Sequence, residues 1–137
     1  FVFVTHLFSH ALLREYRRIV RAVDGLGTAW FVYQGEEFPR SLQRKVPNVF
    51  LQTRQDLAAP EYPRIARALY PGSTHFPFVN FFSSHPEYDR YWMIEYDVRI
   101  SGDWRGFFLE CASIEADLLT AHINTYSSEP DWFFWRA

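Results

Sequence analysis

Phe1-Val2-Phe3-Val4-Thr5 opens the chain, and Ala29-Trp30-Phe31-Val32-Tyr33 follows after Leu12, Leu13, Tyr16, Ile19, Val20 and Val23. The first run is continuous in apolar residues, as strands covered on both faces of a parallel sheet are. The six middle residues recur at the spacing of one α-helical face, with Arg14, Arg17, Arg18 and Arg21 on the other. Ser9 stands where a helix N-cap is expected, and Gly25 and Gly27 stand where the helix should stop. The second apolar run closes at Gly35. Strand, helix and strand in such quick succession spell a βαβ unit, which implies parallel strands and a right-handed crossover.

Downstream, Pro39, Pro47, Pro60, Pro63 and Pro71 punctuate a less regular stretch. Val49-Phe50-Leu51 reads as a third strand, and residues 64–69 as a short helix ended by Tyr70-Pro71-Gly72. Residues 76–84 carry Phe78, Phe81 and Phe82 at near-helical spacing and are expected to be a helix. Tyr91-Trp92-Met93-Ile94 is a strand by composition and runs into Glu95-Tyr96-Asp97. Ser101-Gly102-Asp103-Trp104 is expected to turn into a helix with Phe107, Phe108 and Cys111 on its apolar face. Residues 116–123, with Asp117 near their start, read as a further strand. There is no internal repeat, low-complexity tract or linker. The expectation is one α/β domain over residues 1–137, a mainly parallel sheet flanked by helices.

Composition narrows the function classes. In 137 residues, 48% are hydrophobic and 22% charged, a globular balance able to form a core without disulfide staples. Fourteen basic and 16 acidic residues leave a net charge of −2, which argues against nucleic acid as a partner. A single cysteine, Cys111, excludes an internal disulfide and any cysteine-rich zinc site. It also favours a reducing compartment such as the cytoplasm. No apolar run approaches the length of a membrane span. The chain starts at Phe1 without Met and stops in Trp132-Phe133-Phe134-Trp135-Arg136-Ala137, an aromatic run expected to need cover. Missing sequence on both sides is the expectation, with a complete small protein whose aromatic tail docks on its own core as the alternative; an anchor ahead of Phe1 would place the protein at a membrane.

Glu95 and Asp97 are the acidic residues best placed for chemistry. They follow an apolar strand, and α/β sheets bind ligands outside the carboxyl ends of their strands. Acids at i and i+2 lie on one side of an extended chain and repel one another unless a cation intervenes. Oxygen donors suit Mg²⁺ or Mn²⁺, ions commonly shared with substrate phosphates. The plainer alternative is that Glu95 is a buried or capped strand residue and Asp97 caps the next turn. His6, His10, His75, His85 and His122 show no metal-site spacing. Glycine-rich phosphate loops and the G-x-S-x-G elbow are both missing. Cys111 reads as packing, and the four arginines as a solvated helix face.

The run Tyr91-Trp92-Met93-Ile94-Glu95-Tyr96-Asp97-Val98-Arg99-Ile100-Ser101-Gly102-Asp103-Trp104 resembles a signature of a glycosyltransferase-like family, most of whose members are known as a domain of unknown function. Phe107-Phe108 and Ala116-Asp117-Leu118-Leu119 look like that family's next helix and strand. Residues 1–33 resemble the start of the same GT-A fold, a Rossmann-like nucleotide-diphospho-sugar transferase type. The resemblance implies a glycosyltransferase that binds a nucleotide-diphosphate sugar with Mn²⁺ or Mg²⁺ and transfers the sugar to an unknown acceptor. It implies Asp97 as metal ligand. Glu95 stands where such enzymes usually carry Asp, and is assigned to the metal, its waters or the ribose. Thr5 and His6 match the loop that meets the nucleotide. Arg99 either offsets diphosphate charge or pairs with Asp103. The family's acceptor half and catalytic base lie beyond this chain, so the fold is expected to be incomplete and the catalytic residues are unknown.

Two other readings compete. A glycoside hydrolase needs carboxyl groups on opposite sides of a sugar, which residues two apart serve poorly. A non-catalytic carbohydrate- or protein-binding domain would use its aromatics, which make up 20% of the chain, with Trp132 and Trp135 as candidates.

Overall fold

The computed structural model describes residues 1–40, 44–58, 75–120 and 124–132. Four strands, β1 (Val2–Thr5), β2 (Trp30–Gln34), β3 (Val49–Gln52) and β4 (Met93–Glu95), form one sheet in the order β3-β2-β1-β4. All three pairings are parallel, with Val4 opposite Val32 on one side and Glu95 on the other. Among the described residues the helices are α1 (His10–Ala22), α2 (Arg54–Ala58), α3 (His75–Ser84) and α4 (Trp104–Ala112). The result is an all-parallel sheet flanked by helices, consistent with a Rossmann-like fold.

Strand alternation distributes the apolar residues over two cores. Phe3, Phe31 and Ile94 face α1 and α4, where they meet Leu12, Leu13, Tyr16, Ile19, Trp104 and Phe108. Val2, Val4 and Val32 face the other way and pack with Phe81 of α3. Burial on both faces is why these strands read as unbroken apolar runs.

The βαβ unit forms at the expected place. Ser9 caps α1, its Oγ accepting from the Leu12 N–H at 3.2 Å. Val23 closes α1, and the chain reverses through Gly25 at φ +72°, a left-handed conformation that suits glycine. Tyr16 is buried to 1% exposure beneath the sheet and its hydroxyl donates to the Ala29 carbonyl at 3.0 Å. Burial raises its pKa well above the ordinary phenol range.

Several element bounds differ from expectation. β4 starts at Met93, two residues late, because only from there does the chain lie in register with Val2–Val4. Phe107 is 39% exposed and Cys111 half-buried, so Trp104 and Phe108 carry the apolar face of α4 instead. The strand expected over residues 116–123 is not formed at 116–120, which are irregular, and Leu118 there is 75% exposed. An apolar run becomes a strand only where a neighbouring edge accepts its hydrogen bonds. Residues 121–123 and the helix expected over 64–69 lie outside the described residues.

Candidate functional site

The strand order positions the site. The chain builds outward from β1 through β2 to β3, then returns to place β4 on β1's other side. In open parallel sheets, ligands bind at such a reversal, outside the carboxyl ends of the strands that flank it, here β1 and β4. Val4 and Glu95 are register partners, and the Tyr96 N–H donates to the Val4 carbonyl at 3.0 Å. The pairing brings the segment after β1, with Thr5 and His6, beside Glu95-Tyr96-Asp97.

Thr5 is buried at 1% exposure. Its hydroxyl donates to the Leu7 carbonyl at 2.8 Å and accepts from the Leu7 N–H at 3.0 Å. These bonds fold the β1 loop back on itself, so Thr5 shapes the edge while His6 stands exposed on it. The His6 ring meets the half-buried Tyr96 ring edge-on, 5.2 Å between centres.

Glu95 is half-buried and Asp97 exposed. The extended-chain argument for bringing them together does not hold. β4 ends at Glu95, whose carbonyl accepts from the Val98 N–H at 3.0 Å, so Tyr96 and Asp97 occupy the centre of a tight turn. Glu95 thus closes the strand while Asp97 sits in the turn that follows it. Arg99 does not pair with Asp103: its Nη1 donates to the Tyr96 and Val98 carbonyls at 2.9 and 2.7 Å, bracing that turn. The Asp103 carboxylate instead caps α4, accepting from the Gly106 N–H at 2.8 Å.

Two residues of this edge escape a motif reading. Tyr96 lies between the acids and contributes a ring rather than a charge. Gln52, at the end of β3, is 1% exposed, donates to the Pro77 carbonyl at 2.6 Å and leaves its Oε1 without a hydrogen-bond partner. A polar residue closing an apolar strand is the signal for Gln52; Tyr96 has no signal apart from its neighbours.

Among the described residues no group of three His, Cys, Asp or Glu side chains converges in a way that could hold a metal. Glu95 and Asp97 offer two carboxylates at most. That number fits an ion such as Mg²⁺, which commonly takes one or two carboxylates and draws its other ligands from water and substrate phosphates. It does not fit an all-protein metal cage.

Among the described residues, no helix is long and apolar enough to cross a membrane. Compared with protein-family models, curated proteins and solved structures, the chain shows no significant match to any of them.

Proposed function

We propose that this chain is the nucleotide-sugar-binding part of a glycosyltransferase of GT-A type, holding a nucleoside diphosphate and a divalent cation at the carboxyl edge between β1 and β4. The observation that carries the reading is the reversal of strand order at β1, with Glu95 at the end of β4 and Asp97 in the turn that follows. Asp97, on the exposed turn, is the principal candidate ligand; Glu95 touches the ion or its waters. A bound Mn²⁺ or Mg²⁺ would offset the charge of the departing diphosphate. His6 and Tyr96 offer a ring surface for the nucleoside, and Thr5 fixes the loop that carries His6. Arg99 acts through the turn it braces.

With only two carboxylates, the ion and the diphosphate should bind together, each weak alone. Thermal-shift titrations with uridine and guanosine diphosphates, with and without Mn²⁺, test this. At a nucleotide concentration ten times Kd, the folded state gains about 1.4 kcal/mol, a melting rise of a few degrees. The rise is expected only with both metal and nucleotide, and is expected to vanish in Asp97→Ala, whose circular dichroism stays native. A rise that ignores metal or survives Asp97→Ala overturns the assignment.

A second reading rests on the exposure of Leu118, Tyr126 and Trp132, at 75%, 67% and 38%. Exposed apolar side chains of this size suit a non-catalytic binding domain, a reading that predicts sugar or protein binding indifferent to metal and to Asp97.

A further inference from the structure

A second charged feature lies at the opposite edge of the sheet. α1 runs back from the carboxyl end of β1, so its last turn sits near the start of β2, where the Trp30 N–H donates to the Phe1 carbonyl. Between that turn and the start of α4 lies an open cleft of about 290 Å³. Arg18, Arg21 and Arg105 line it together with Gly102 and Asp103. Three arginines lining one cleft are an unfavourable grouping of like charge, even in a chain of net charge −2, unless something offsets them.

The nearby carboxylates offset them in part. Glu15 pairs with Arg18 at 3.2 Å, and Asp103 turns its carboxylate to the Gly106 N–H. Arg105 donates from Nη1 to the Ala22 and Asp24 carbonyls at 3.1 and 2.7 Å, which ties α4 to the end of α1. Arg21 is exposed and makes no hydrogen bond or ion pair among the described residues. Arg18 and Arg105 are thus already held, so little side-chain freedom is left to lose on binding. Each retains further N–H donors in the fixed fork that suits phosphate oxygens.

We propose that this cleft binds the phosphate groups of a small soluble phosphate ester or diphosphate, with Arg21 as the principal ligand and Arg18 and Arg105 as pre-positioned donors. The cleft's volume lies at the small end of ligand sites, which fits a diphosphate or a sugar phosphate. The inference stands apart from the carboxyl-edge reading, since it needs neither metal nor Asp97.

Inorganic pyrophosphate, titrated calorimetrically at low salt with a metal chelator present, is the probe. Saturable one-site binding is expected, weakening as salt rises. Arg21→Gln should weaken it about tenfold or more, the usual loss for one charged hydrogen bond. Arg14→Gln removes a charge from the same helix but outside the cleft and should leave affinity within about twofold. Asp97→Ala should leave it unchanged. Absence of saturable binding at millimolar pyrophosphate to the natively folded chain overturns the proposal. So does equal loss in Arg14→Gln and Arg21→Gln, which would mean a diffuse basic face rather than a site.

Discussion

Tyr16 shows how much one side chain can connect. Its ring meets Phe3 and Phe31, and its hydroxyl reaches the carbonyl of Ala29, which also accepts from Asn48 Nδ2 at 3.1 Å. Tyr16→Phe therefore leaves no orphaned acceptor. The expected cost is that of a single ordinary hydrogen bond, about 0.5–1.5 kcal/mol by urea unfolding. Its ionisation is the sharper test. In the unfolded chain the phenol loses its proton near the ordinary value of about 10, whereas burial holds it on in the fold. Above that pH the folded state binds more protons than the unfolded state, so stability falls as pH rises towards the raised folded value. An ultraviolet titration of the eight tyrosines should show a component delayed until the protein unfolds, and Tyr16→Phe should lack it. A Tyr16 that titrates with the exposed tyrosines would contradict the burial.

Elements were legible where local chemistry and tertiary need agree. α1 has a cap at Ser9, a continuous apolar face and a glycine stop, and it forms over His10–Ala22 as read. Ser9→Ala should lower stability by about 1 kcal/mol, because the Leu12 N–H loses its partner; Ser9→Gly should cost only a few tenths. Equal melting temperatures for Ser9→Ala and the parent would mean that the cap bond carries no weight. The third strand and the helix at His75–Ser84 were also visible, both within a residue of their expected bounds. Residues 116–120 show the opposite case. Leu118 and Leu119 give them a strand-like composition, yet whether a strand forms depends on a partner edge that composition does not encode. The turn at Glu95–Val98 was hidden for a related reason. Its geometry is fixed by Arg99 reaching back to two backbone carbonyls, and an arginine four positions before an acid, here Asp103, more commonly suggests an ion pair.

At the scale of the molecule, parallel pairing and two-sided burial followed from the apolar runs, but the place of β4 did not. Nothing in residues 91–97 says that they lie beside β1 rather than beyond β3. That choice is made by contacts across some ninety positions, Val2 with Met93 and Phe3 with Ile94, and it decides where the candidate site falls. The acids were therefore readable as residues, while their neighbours His6 and Thr5 became a site only through strand order. The His6–Tyr96 contact offers a direct test, since the two rings meet only if β1 and β4 are adjacent. A double-mutant cycle with His6→Ala and Tyr96→Ala isolates the pair, and cancels the separate cost of removing Tyr96 from the core it packs against. Edge-on ring pairs contribute about 0.5–1.5 kcal/mol, and the exposure of His6 places this one at the lower end. A coupling of about 0.5 kcal/mol in denaturant unfolding would support the adjacency of the two strand ends. Strict additivity would mean that the rings do not meet in solution, and the carboxyl edge proposed to hold the nucleotide would lose its ring surface.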